Sequence, residues 1–232
     1  MGRLVLWDVD HTLIDTGGLG GEIFQAAFEQ VTGQAMVHAS EGAGRTEPEA
    51  FRAALEVNNI PERDGYFTKF AEIQAQAYED RAQELRQRGR PLPGVREVLA
   101  HLAELSGIVQ SVLTGNPRAS AEAKLHTFGL DTYLDFDAGA YGDDEPIRAH
   151  LVPIARQRAG QRYGVSFDAT TTVLIGDTPK DVAAGREGGA LVIGVATGLA
   201  STVELATAGA DASFADLTQP DVLPAIRGEV WA

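Results

Sequence analysis

The sequence predicts an α/β fold: a parallel sheet with helices on its faces, interrupted after its first strand by an all-helical segment. Three observations predict it. The chain opens with a short apolar run, Leu4-Val5-Leu6-Trp7, the pattern of a strand buried on both faces. Residues 18–88 then read as helix, with no strand pattern among them. After Pro93 apolar strand patterns and helical patterns alternate, which implies crossovers packed on a parallel sheet.

The first strand covers about residues 3–8 and runs into the turn-prone Asp15-Thr16-Gly17-Gly18. Ile23, Phe24, Ala27, Phe28 and Val31 follow at helical spacing. A second helix begins near Pro48 with Phe51, Ala54 and Leu55, and a long third one spans 63–88. Gly89-Arg90-Pro91-Leu92-Pro93-Gly94 ends it. Beyond this break the patterns predict a helix over 95–105 and a strand over 108–113. Next come a strand over 133–136, a helix over 147–162, a strand over 172–175 and a helix over 180–187. Strands over 191–195 and 212–214 complete the series. The domain division is therefore a core of 1–16 and 89–232 around a helical insert of 17–88.

With 232 residues and 44% hydrophobic content, the chain has room for a core and a smaller insert. The absence of cysteine excludes disulfides, thiolate metal sites and a cysteine nucleophile, and fits a reducing compartment. There is neither a charged leader before an apolar stretch nor an apolar run near the ~18 residues that span a bilayer. The expectation is a cytoplasmic protein without a membrane partner, monomeric or homodimeric. A net charge of −14 argues against a nucleic-acid partner. A small anionic substrate is compatible with it, because a local cation or a bound metal dominates the field inside a cleft.

The chemistry concentrates at strand ends. Directly after the first strand stand Asp8-Val9-Asp10-His11-Thr12. Two carboxylates at the end of a buried strand are not explained by packing, because buried charge is costly unless paired or bound to metal. The strand over 108–113 ends in Thr114-Gly115-Asn116, and that over 172–175 in Gly176-Asp177-Thr178-Pro179-Lys180-Asp181. Arg148 follows Asp143-Asp144-Glu145 at the start of a helix. Each piece alone is a turn or a helix cap. Together, on one edge of a parallel sheet, they supply carboxylates, a hydroxyl, backbone amides and a cation. That set suits phosphoryl transfer through a carboxylate nucleophile and Mg²⁺.

At these motifs the chain resembles the haloacid dehalogenase-like (HAD) hydrolase superfamily, over nearly its whole length. Within it, the chain resembles the C1-capped, phosphoglycolate phosphatase-like phosphatases. Asp8, Asp10 and Thr12 match Asp-x-Asp-x-Thr; Thr114 matches the second motif; Gly176, Asp177 and Asp181 match Gly-Asp-x-x-x-Asp. The resemblance implies a Rossmann-like core with a helical C1 cap, and a phosphatase acting on a small phosphorylated metabolite with Mg²⁺. It implies Asp8 as nucleophile, Asp10 as acid and base, and Asp8, Asp177 and the Asp10 carbonyl as metal ligands. Thr114, Gly115 and Asn116 would hold phosphate oxygens. Asp181 would orient the motif-three cation or a metal-bound water, and Thr12 would stand behind the groups that touch metal and substrate. The third motif usually carries Lys before Pro; here Arg148 is the positional match, with Lys180 the alternative cation. Gly42-Ala43-Gly44-Arg45-Thr46-Glu47 resembles the substrate-facing cap loop. On that reading Arg45 binds an anionic leaving group; the alternative is an exposed loop arginine. His11 either touches substrate or hydrogen-bonds at its turn. A mutase of the same fold and a phospho-accepting signalling domain without turnover are the competing functions.

Overall fold

A computed structural model describes residues 2–39 and 44–229. In chain order the elements are β1 (Arg3–Trp7), β2 (Ile14–Asp15), α1 (Leu19–Thr32), α2 (Glu47–Val57), α3 (Tyr66–Asp80), α4 (Ala82–Arg88) and β3 (Arg90–Pro91). They continue with α5 (Val95–Ala103), β4 (Ile108–Val112), α6 (Arg118–Thr127), α7 (Arg148–Tyr163), β5 (Thr172–Gly176) and α8 (Pro179–Gly188). The last are β6 (Leu191–Val195), α9 (Thr202–Ala208), β7 (Ala212–Phe214) and α10 (Val222–Arg227).

Five parallel strands form one sheet in the order β4-β1-β5-β6-β7. Strand side chains alternate between faces. Accordingly Val5 and Trp7 enter one apolar layer with Leu99, Leu102 and Leu125, while Leu4 and Leu6 enter the other with Leu151, Val152 and Leu174. The second layer seats α7 on the sheet. The α/β class and parallel sheet read from the sequence are what the structure has.

Between β2 and β3 the regular elements among the described residues are all helices, α1 to α4. Ala27, Phe28, Phe51, Ala54, Leu55, Ile60 and Phe70 make an apolar cluster of their own there, with Phe24 edge-on to Phe70 at 4.9 Å. Tyr78 and Leu85, by contrast, pack into the main core. β2 and β3 pair antiparallel, Ile14 with Pro91 and Asp15 with Arg90, so entry to and exit from the insert run side by side. Such a short ribbon gives too little alternation to be read from sequence.

Two local expectations are corrected. The helix expected over 63–88 is two helices, α3 and α4, divided at Arg81. The strand expected over 133–136 is a pair of 3₁₀ turns, Asp131–Tyr133 and Phe136–Ala138. Sheet pairing there is limited to one bridge, Leu113 to Ala140. The Asp135 N–H still donates to the Gln110 carbonyl of β4 at 2.9 Å, but its carboxylate accepts from the Asp137 N–H and caps the second turn, so no strand continues there.

Leu6 is fully enclosed between the sheet and α7. Leu6→Ala is expected to lower the unfolding free energy by about 2–5 kcal/mol in urea titration.

Candidate active site

The strand order brings three loops together. β1 lies between β4 and β5, and the chain reaches these neighbours by crossovers to opposite sides. At such a switch point a crevice opens beyond the carboxyl ends of the strands. Trp7 is in register with both Val112 and Ile175. Asp8, Thr114 and Asp177 lie just past these residues and so stand on adjacent strand ends.

Asp8, Asp177 and Asp181 are buried, and each offers a carboxylate oxygen within 4.8 Å of the others. Arg148, buried in the first turn of α7, is their counterion. One nitrogen, Nη2, lies 2.7 Å from Asp8 Oδ1 and 2.5 Å from Asp181 Oδ1. Asp181 is fixed by the capping box that starts α8. Its N–H donates to Thr178 Oγ1 at 3.1 Å, and its Oδ2 accepts from the Thr178 N–H at 3.0 Å and from Oγ1 at 2.6 Å. The cap thus anchors one oxygen of Asp181 and leaves the other facing Arg148. Thr12 Oγ1 donates to Asp177 Oδ1 at 3.4 Å.

Burial pushes the Asp8 carboxyl up from its ordinary value, against the pull of Arg148. Burial, then the neighbouring Asp8 and Asp181, push Asp177 up as well. Burial opposes the Arg148 charge, but Asp181 and Asp8 more than offset it and raise its pKa. Three carboxylates facing one guanidinium leave a surplus of negative charge. An all-oxygen donor set of this kind fits a hard divalent cation.

The Asp10 carboxylate points elsewhere. It is held by Lys124 Nζ, 3.0 Å from Oδ1 and 2.7 Å from Oδ2, and by Asn116 Nδ2, 2.7 Å from Oδ2. Burial alone would raise Asp10; Lys124 reverses this and leaves its pKa below the ordinary value. The same Asn116 amide lies 2.8 Å from Thr114 Oγ1, which also accepts from the Asn116 N–H at 3.3 Å.

The insert closes over this edge. The Glu47 N–H donates to the Gly115 carbonyl at 2.8 Å, and Thr46 Oγ1 donates to the Pro146 carbonyl at 2.8 Å. A Cβ at Gly115 would collide with the Arg45 carbonyl, so only glycine lets the two backbones meet. Arg45 therefore lies directly over the second motif. Gly42 and Ala43 of the same loop lie outside the described residues. Lys180 packs under Gly44 on that loop, while Arg148 is the cation at Asp8. His11 is exposed, at φ 60°, and its carbonyl accepts from Thr197 Oγ1.

Sequence reasoning missed Lys124, Gln74 and Ser120, and named Glu47 only as the end of the cap loop. Lys124 is buried beneath the ring of Tyr78, 4.8 Å from its centroid. Gln74 Oε1 accepts from Ser120 Oγ at 3.1 Å, and Gln74 Nε2 donates to Glu47 Oε1 at 3.3 Å. Glu47 Oε2 is shut off from solvent, and burial pushes this carboxyl up to about 7. Ser120 and Lys124 stand four residues apart on α6, a helix absent from the sequence reading. α3, arriving from the insert, covers them through Gln74 and Tyr78.

The sequence pattern of haloacid dehalogenase-like hydrolases matches residues 3–189. The chain belongs to this family. The "Probable phosphatase IndB" of Dickeya dadantii is 30% identical over 213 residues, covering 90% of this chain and 87% of that protein. A phosphoglycolate phosphatase of Agrobacterium fabrum is 29% identical over 201 residues, 84% of this chain and 81% of its own. A hydrolase from Pseudomonas syringae shares the fold at a TM-score of 0.65 with 20% identity, each chain covered completely.

The raised carboxyls carry a pH prediction. Asp8 and Asp177 titrate above their unfolded value of 3.8, so the folded protein holds protons that the unfolded chain has released. Their stabilising contribution is complete below that value and is lost as pH rises toward about 8. Glu47 acts in the same sense. In EDTA, the unfolding free energy from denaturant titration is expected to fall between about pH 5 and pH 8. A divalent cation should restore it at the alkaline end and change little at the acid end. Asp177→Asn should flatten the slope.

Proposed function

We propose that this hydrolase cleaves small phosphomonoesters, with Asp8 as nucleophile, Asp10 as acid and base, and Mg²⁺ as cofactor. One observation carries the reading: Asp8 is clamped by Arg148 at 2.7 Å while sharing a buried pocket with Asp177 and Asp181. A carboxylate can attack an anionic phosphate only where positive charge offsets both. The phosphatase names of the relatives support the reaction class. Mg²⁺ held by the Asp8 and Asp177 carboxylates and the Asp10 carbonyl would supply further charge neutralisation.

In the first half-reaction an Asp8 oxygen bonds to phosphorus as the bond to the leaving oxygen breaks. Asp10, carrying the proton it took from water in the preceding turnover, gives it to that oxygen, leaving an alcohol and an aspartyl-phosphate. In the second, Asp10 takes a proton from water as the water oxygen bonds to phosphorus. The bond to Asp8 then breaks, releasing phosphate and restoring the carboxylate. Thr114 Oγ1 and the amides of Gly115 and Asn116 hold phosphoryl oxygens. Arg148 neutralises charge as it develops, and Asp181 keeps Arg148 in place. Thr12 steadies Asp177. Arg45 receives the anionic part of a leaving group, with His11 at the rim. Residues 17–88 serve as a cap that excludes water, hinged where β2 pairs with β3.

The test is turnover on a panel of phosphomonoesters with and without Mg²⁺. Wild type is expected to need the metal and to prefer small substrates. Asp8→Asn should lose about 10³-fold or more in kcat, because a neutral amide does not attack phosphorus. Arg148→Ala should lose on the order of 10²-fold in kcat/KM, and Lys180→Ala much less. Near-normal turnover of Asp8→Asn, or undiminished activity in EDTA, is the contrary result.

A further inference from the structure

Lys124 has no part in the steps above, yet its charge is nearly sealed from solvent, with the side chain 3% exposed. An ammonium has three N–H donors. Three acceptor atoms surround this one: both oxygens of Asp10, at 3.0 and 2.7 Å, and Asn116 Oδ1 at 2.7 Å. The face of the Tyr78 ring covers it from the insert side. Burying an ammonium is unfavourable unless it is fully paired, and an apolar side chain packs such a place at least as well. The charge therefore serves the group it grips. Between them Lys124 and Asn116 tie down both oxygens of the Asp10 carboxylate. That side chain remains 36% exposed, so one side of it stays open toward the crevice.

We infer that Lys124 is a positioning residue: it fixes the carboxylate of Asp10 in the orientation from which a proton passes to the leaving oxygen and from water. The inference rests on the acid–base reading of Asp10. It also links that orientation to the insert, because Lys124 and Tyr78 meet only where α3 lies on α6. The reacting phosphoryl group touches neither residue in this scheme. Loss of Lys124 should therefore appear in kcat and not in KM.

The experiment is a double-mutant cycle of Lys124→Met and Asp10→Asn in the full-length enzyme with Mg²⁺. Glycerol 2-phosphate, whose alkoxide needs a proton to leave, is compared with p-nitrophenyl phosphate, whose phenolate does not. Lys124→Met is expected to lower kcat on glycerol 2-phosphate by about 10- to 100-fold, with KM within about threefold. The phosphoenzyme burst with p-nitrophenyl phosphate should fall less. In the Asp10→Asn background the same substitution should cost no further activity. Lys124→Gln keeps a donor and is expected to recover part of the rate; it carries the cycle if Lys124→Met does not fold. Normal kcat in the lysine variants, a loss confined to KM, or full additivity with Asp10→Asn overturns the inference alone. Wild-type turnover of Asp10→Asn overturns the acid–base reading and the inference with it.

Discussion

Arg148 sits between Asp8 and Asp181, and the carboxyl edge of the sheet depends on that contact. Three buried carboxylates occupy a space that water barely reaches. Without the guanidinium, Asp8 and Asp181 would be left as uncompensated buried charges, a change that typically costs about 3–5 kcal/mol. Packing far from the site holds the cation in place. α7 carries Arg148 and is seated by Leu151, Val152 and Ala155 against Leu4, Leu6 and Leu174. A cation in the first turn of a helix gains nothing from the helix dipole. The acids beyond the sheet are what hold it there.

The crevice has two halves with different electrostatics. Around Asp8 the carboxylates are in surplus and their pKa values are raised, a poise suited to a metal and a phosphate. Around Asp10 a lysine and an amide hold one carboxyl group and draw its pKa below the ordinary value. Asn116 ties Asp10 to Thr114, and both Thr114 and Asn116 follow β4 directly. One strand end therefore orients the groups proposed to grip phosphate and the group proposed to move protons. The insert contributes by contact, through Glu47 on Gly115, Gln74 on Ser120 and Tyr78 over Lys124.

Much of this was legible in the chain. The strands bearing Asp8, Thr114 and Asp177 are continuous apolar runs, and their order along the sequence implies neighbouring ends. Arg148 could be singled out because a cation at a helix start asks for a reason. What escaped were groups whose meaning depends on a distant segment. Lys124 and Ser120 stand on α6, a helix absent from the sequence reading, and α3 covers them; Glu47 looks like one more acid in a first helical turn. The segment 133–136 has strand-like residues, but Asp135 captures the next turn and local hydrogen bonding wins. Helix periodicity likewise ran through Arg81, where the backbone leaves the helix between α3 and α4.

Asp8 is the proposed nucleophile toward phosphorus, and its covalent adduct can be sought directly. The enzyme would be mixed with a phosphomonoester and Mg²⁺, quenched in acid within the first turnover, digested and mapped by mass spectrometry. A phosphoryl group on Asp8, lost on mild alkali as an acyl phosphate is, is the expected result. Turnover with no adduct on Asp8, or an adduct on another residue, would contradict it.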